Sequence, residues 1–160
     1  MPVFTPDTVR TELQDIPGHP CGPARMLRYS DSGGLTQFGA FVEILPPGSR
    51  SSLCHWHERE DEMVYMLEGQ VTLWEGGTAR LLNPGEAATF RAGDPAGHYL
   101  RNDGTAEARY LVIGTRAGAD RITYPDHDRI IDYDDRAGVE TITTLDGRPA
   151  AESPYYLPGA

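Results

Sequence analysis

Ser52–Gly69 reads SLCHWHEREDEMVYMLEG. Two of the chain's five histidines, His55 and His57, stand at alternate positions in it, and Glu62 precedes the run Val64-Tyr65-Met66-Leu67. In a β-strand, residues i and i+2 project from one face about 6–7 Å apart, so the two imidazoles lie side by side. Four residues, Glu58 to Asp61, then lead to Glu62 at the start of the next strand. A tight hairpin there sets its carboxylate opposite the histidines. Two imidazoles and a carboxylate meeting at one point are the donors of a divalent metal site. The same alternation turns Val64 and Met66 inward as substrate lining, and leaves Cys54, Trp56, Met63, Tyr65 and Leu67 outward. An outer face so apolar predicts a cover. The expected cover is a second copy of the chain in a homodimer, with the N-terminal arm or the C-terminal tail as the other choices.

A fourth donor stands downstream in GHYLRN, where His98 opens another strand-like run. If the sheet curls to bring that run beside the first, His98 completes a set of three imidazoles and one carboxylate. Four protein donors on a six-coordinate ion leave positions for water, dioxygen or substrate.

The surrounding sequence supplies such a sheet. From Ala24 to about Ala117, segments of four to ten residues (ARMLRYS, TQFGAFVEIL, EMVYMLEG, QVTLWEG, ARYLVIGT and their neighbours) alternate with turn chemistry such as Pro-Pro-Gly, Asn-Pro-Gly and Asn-Asp-Gly. None keeps a helical period for three turns. Many short, closely spaced strands predict an all-β sandwich or barrel. The expected division is an extended arm over 1–22, a barrel over 23–117, and an acidic, turn-rich extension over 118–160. That extension packs on the barrel or on a partner subunit, and its GVETITTLDGRP reads as a hairpin.

On these residues the chain resembles the cupins, small β-barrels with two short motifs. The family's first motif has the form G-x5-HxH-x3,4-E-x6-G. Here Gly48 is followed by six residues, His55-Trp56-His57, four residues, Glu62, six residues and Gly69. The second has the form G-x5-PxG-xx-H-x3-N. Here Gly85 is followed by five residues, Arg91-Ala92-Gly93, four residues, His98, three residues and Asn102. Arg91 stands where the family has proline, and two residues are inserted before the histidine. The resemblance implies a double-stranded β-helix, or jelly-roll barrel, with N- and C-terminal extensions. It also implies that His55, His57, Glu62 and His98 bind one divalent transition metal: iron, manganese, nickel, cobalt, copper or zinc. A similar tail accompanies the barrel in a subgroup of small bacterial cupins labelled as sugar-phosphate isomerases.

Composition narrows the function further. The net charge of −10 disfavours binding to phosphate backbones, so no nucleic-acid partner is expected. No apolar run approaches a membrane span. The N-terminal residues lack a charged-then-apolar signal pattern, which sets the expectation of a cytoplasmic protein. All 14 basic residues are arginine, so Schiff-base chemistry on a lysine is excluded. Cys21 and Cys54 read as free thiols. Cys54 and His55, adjacent on a strand, point to opposite faces and do not form a nucleophile–base pair.

The expected function is that of a metal-dependent enzyme acting on a small, oxygenated, anionic metabolite by Lewis-acid isomerase, lyase or cyclase chemistry. An iron-dependent dioxygenase and a non-catalytic small-molecule binding module are the alternatives. Arg91 is the candidate anchor for a substrate carboxylate or phosphate. Glu60, Arg91 and His127 are the candidate catalytic groups, the last as a proton shuttle between two aspartates.

Overall fold

The computed structural model of the chain describes residues 1–155; the end of the C-terminal extension, 156–160, lies outside the described residues. Thirteen strands follow in order: β1 (Thr11–Gln14), β2 (Ala24–Leu27), β3 (Phe38–Leu45), β4 (Trp56–His57), β5 (Glu62–Glu68), β6 (Val71–Glu75), β7 (Thr78–Leu82), β8 (Ala87–Phe90), β9 (His98–Arg101), β10 (Ala108–Thr115), β11 (Ala119–Tyr124), β12 (Arg129–Asp134) and β13 (Val139–Thr143). One helical turn, α1 (Tyr29–Ser32), separates β2 from β3, and a 3-10 turn, Pro125–His127, follows β11. No helix among the described residues is long and apolar enough to cross a membrane.

The strands form two walls. One is a six-stranded antiparallel sheet in the order β1-β2-β3-β10-β5-β8. The other is built from β7-β6-β9 and β13-β12-β11-β4, and the antiparallel bridges Arg50↔Arg101 and His55↔His98 join its two parts. This is the all-β arrangement that the strand spacing predicts, in the jelly-roll form that the resemblance implies.

Strict alternation builds the core between the walls. On β10, Ala108, Tyr110 and Val112 point inward and are buried. Their partners Leu45 on β3 and Val64 and Met66 on β5 do the same. Leu73, Leu82 and Leu100 face them from the opposite wall. Full burial of each such aliphatic side chain contributes about 1.5–3 kcal/mol.

Two glycine-framed loops hold the strand ends in register. Gly69, between β5 and β6, has φ of 70°, and a Cβ there would lie 2.8 Å from the Glu107 carbonyl oxygen. Only glycine fits both the left-handed backbone and that approach. Asn102, fully buried just past β9, donates from Nδ2 to the Leu45 carbonyl at 2.7 Å and to the Ala106 carbonyl at 2.8 Å. It thereby ties β9 to the end of β3 and to the loop entering β10.

Two expectations change, and a third holds. The histidine strand and the glutamate strand are not a hairpin: β4 pairs with β11, whereas β5 pairs with β10 and β8. Residues 58–61 therefore cross from one wall to the other, and Glu62 meets the histidines across the interior. For the same reason Trp56 and Tyr65 do not share one outward face. Tyr65 and Leu67 are 40% and 43% exposed, while Trp56 is half-buried in the other wall. The late hairpin is present: around the antiparallel bridge Thr143↔Pro149, the Thr144 N–H donates to the Arg148 carbonyl at 2.8 Å and the Ala150 N–H to the Ile142 carbonyl at 2.9 Å, while its first arm, β13, also pairs with β12.

Strand pairing crosses both proposed boundaries of the barrel. β1, in the N-terminal arm, pairs with β2, and Val9 packs with Leu27 and Ile44 on the outside of the sheet. β11, in the C-terminal extension, pairs with β4 and delivers a side chain to the site.

Candidate metal centre

His57 lies on β4, Glu62 opens β5 and His98 opens β9, while His55 reaches His98 through the antiparallel bridge. Their donor atoms converge. Glu62 Oε2 lies 3.1 Å from His98 Nε2, 3.7 Å from His57 Nε2 and 3.9 Å from His55 Nε2. His55, Glu62 and His98 offer donor atoms within 4.8 Å of one another, and His57, which groups with Glu60 and Asp120, reaches the same Glu62 oxygen at 3.7 Å; the four come from both walls rather than from adjacent strands of one curled sheet.

The outer nitrogens of two of these rings are already committed. His55 Nδ1 lies 2.9 Å from the Leu53 carbonyl, an oxygen that can only accept, so Nδ1 carries the proton. His57 Nδ1 lies 2.6 Å from Asp120 Oδ2. Both assignments leave the Nε2 lone pair aimed at the centre, the orientation that a metal-ligating imidazole needs. His98 is held differently: its ring stacks on Phe90 at a centroid separation of 3.6 Å, with the planes 1° apart.

Asp120 is the residue that sequence reasoning missed. It sits on β11 with its side chain fully buried, and its Oδ1 accepts the Arg59 N–H at 2.8 Å. A lone aspartate in ADRITY carries no motif. Its one signal is position, an acid at the start of a strand-like alternation, and that signal becomes readable only once β11 is known to pair with β4.

Burial sets the electrostatics. Desolvation alone would raise the Glu62 carboxyl, but the His98 hydrogen bond and the surrounding imidazoles outweigh it and hold the group at about 2. His55 is pushed down to about 4, chiefly by burial, with His98 and His57 adding to the effect and Glu62 opposing it. The centre therefore presents a carboxylate and, at His55, a neutral imidazole at neutral pH, which are the protonation states that cation ligation requires.

Beside the centre lies a cavity of about 510 Å3. Trp56, His57, Glu60, Glu62, Arg91 and His98 are among its lining residues. Arg91 falls just beyond β8 rather than on a strand, and is exposed. Glu60 Oε1 accepts from the Tyr133 hydroxyl at 2.8 Å and from the Ala117 N–H at 2.9 Å, which leaves Oε2 unspent. Glu60, His57 and Asp120 offer donor atoms within 4.8 Å of one another, so Glu60 borders the centre.

The remaining candidates separate. Val64 lines a smaller inner cavity. Met66 lies one inward step, about 6–7 Å, further along β5 and is fully buried in the core, away from both cavities. His127 is exposed on the 3-10 turn and does not line the cavity beside the centre. Burial and Asp126 raise the Cys54 thiol, which opposes a nucleophilic role.

Residues 41–114 match the Cupin domain family. Over 94% of this chain and 97% of the other, the structure superposes with a TM-score of 0.82 on a cupin-superfamily sugar phosphate isomerase from Silicibacter pomeroyi, at 35% identity. A protein described as a sugar phosphate isomerase from Acidithiobacillus ferrooxidans superposes over the same shares with the same score, at 25% identity. Quercetin 2,3-dioxygenase of Bacillus subtilis is 32% identical over 78 residues, 48% of this chain. The chain matches only 23% of that enzyme's length. The paired motifs, the two-walled barrel and a near-complete superposition at 35% identity agree: the chain belongs to the cupin superfamily.

Proposed function

We propose that this cupin holds one divalent transition-metal ion on His55, His57, Glu62 and His98 and isomerises a small hydroxy-carbonyl metabolite that carries a phosphate or carboxylate. The observation that carries this reading is the convergence of three Nε2 atoms on Glu62 Oε2, with Nδ1 of His55 and His57 turned away into fixed hydrogen bonds. The full-length likeness to two proteins named as sugar phosphate isomerases supports the substrate class.

A bound ion supplies Lewis-acid polarisation of a substrate carbonyl or hydroxyl. The chain's own residues do the rest. Arg91, exposed on the cavity wall, binds the anionic end. Glu60, anchored through Oε1, offers Oε2 as the base that takes a proton from the hydroxyl-bearing carbon and returns it to the carbonyl carbon, while the hydroxyl proton passes to the former carbonyl oxygen. Trp56 and Phe90 give that proton transfer apolar walls.

The test starts from chelated protein reloaded separately with each of the six metals. Aldose and ketose phosphates are followed in D2O by NMR. Metal-dependent interconversion with deuterium entering the substrate is expected, slowed by a factor of about a hundred or more in Glu60→Gln. Protein that catalyses neither interconversion nor exchange with any metal overturns the reading. Dioxygen uptake by the iron-loaded form would replace it with the dioxygenase reading that the Bacillus subtilis likeness favours.

Asp120 tests the metal assignment separately. Asp120→Asn keeps size and loses the carboxylate that fixes the His57 tautomer. Affinity for zinc, measured by chelator competition, is expected to fall about 10–100-fold. An unchanged affinity would remove His57 from the ligand set.

A further inference from the structure

The cavity beside the metal centre does not account for all the space around the imidazoles. A second cavity of about 180 Å3 shares Glu62, Phe90 and His98 with it, but is walled by the core residues Val64, Leu100, Tyr110 and Val112. Its polar lining is unusual for a barrel core. Glu43, on β3, is 6% exposed and lines this cavity without an ion pair among the described residues. Ser51 and Ser52 line it as well. Tyr110, directly opposite Glu43 in the β3–β10 register, is fully buried; its hydroxyl neighbours Glu43 and Ser51, yet among the described residues no bond of full hydrogen-bond geometry completes it. A buried carboxyl and an unspent phenol facing a void are costly unless something polar completes them.

We propose that this inner cavity is a subsite for the uncharged, hydroxyl-bearing end of the substrate, with Glu43 as its hydrogen-bonding partner. The role as a substrate subsite rests on the isomerase reading above; the binding itself does not. Size supports a fragment: the volume equals about six waters at about 30 Å3 each, enough for a three-carbon polyol and too small for a whole sugar phosphate. Charge decides which end enters. The Glu62 carboxylate repels an anion, so a phosphate or carboxylate stays in the larger cavity, where Arg91 lies. An ammonium group would need an ionised Glu43, and burial keeps that carboxyl protonated up to about 7. A purely apolar group would give Glu43 no partner beyond the neighbouring Tyr110 hydroxyl. A hydroxyl, which both donates and accepts, suits a protonated carboxyl.

Glycerol is the probe, with n-propanol as its apolar counterpart and ethanolamine as its cationic one. Crystals of metal-free and zinc-loaded wild-type protein are soaked at pH 6.5, and dissociation constants are measured by ligand-observed NMR. Glycerol density is expected in the inner cavity, with a hydroxyl within hydrogen-bond distance of Glu43. Glycerol affinity is expected to fall about three- to tenfold in Glu43→Leu and to hold within about twofold in Glu43→Gln, the range of one neutral hydrogen bond. An inner cavity without glycerol, equal binding of n-propanol, or tighter binding of ethanolamine overturns the proposal. So does glycerol affinity unchanged in Glu43→Leu. The wild-type soak needs no substitution, so it decides the matter even if a variant fails to fold. A protein that seats glycerol against Glu43 yet isomerises nothing keeps the subsite and loses the isomerase reading; one that isomerises with an unfilled inner cavity does the reverse.

Discussion

His57→Ala protein, purified alongside the wild type, is expected to carry less than about a tenth of an equivalent of metal while its barrel still folds. The substitution removes a donor and does more than that. It strands Asp120, whose buried Oδ2 loses its 2.6 Å partner and keeps only the Arg59 N–H on Oδ1. Removing Asp120 alone is expected to weaken binding about 10–100-fold, so losing the imidazole itself should exceed that range. Folding should survive because the apolar core is centred on Leu45, Met66, Leu73, Leu82 and Tyr110, none of which touches His57 in sequence or register. Elemental analysis and circular dichroism on the same sample read both halves of the result. A variant that folds with full metal content would show that the four convergent side chains are not the ligands.

The second large effect concerns Glu43 and pH. Burial raises its carboxyl from an ordinary 4.5 to about 7, with the neighbouring Tyr110 hydroxyl and then Arg28 opposing that rise and the Glu62 charge adding to it. For an acid raised in the folded state, the sign is as follows. Below about pH 4.5 both folded and unfolded chains hold the proton, and Glu43 costs nothing through titration. Between 4.5 and 7 the unfolded chain releases it first, so folding is progressively disfavoured. Above about 7 the penalty is complete, about 3 kcal/mol for a displacement of this size. Glu43→Gln removes the titration and keeps the shape. In urea melts of metal-free protein, the stability of the variant minus that of the wild type should therefore rise by up to about 3 kcal/mol from pH 4.5 to pH 7.5. Taking the difference cancels the contributions of His55 and Glu62, which titrate in both proteins. A flat difference would mean that Glu43 is solvated in solution.

Much of this molecule is legible in its sequence, and the exceptions have a common cause. Alternation identified the strands, because one face of each strand is buried and the other is not. Spacing singled out His55, His57, Glu62 and His98, and the structure brings the Nε2 atoms of all three histidines within 3.9 Å of Glu62 Oε2. Pairing was less accessible. The four residues between His57 and Glu62 suit a hairpin turn or a crossing between walls equally well, and only the competition among β10, β8 and β11 for edges decides between them. Asp120 and Glu43 were invisible for the same reason. Each acquires meaning from a neighbour distant in sequence, 63 residues away for Asp120 and His57. Met66 failed as a lining residue because alternation gives the direction of a side chain and not its depth.

The bond from β11 to the His57 ring has an evolutionary corollary. The match to the family model stops at residue 114, while Asp120 stands six positions later on a strand that leans on β4. On the proposed ligand set, a substitution on that strand retunes the His57 imidazole without touching a ligand, so barrels with the same two motifs can differ in metal affinity through the segment that follows them.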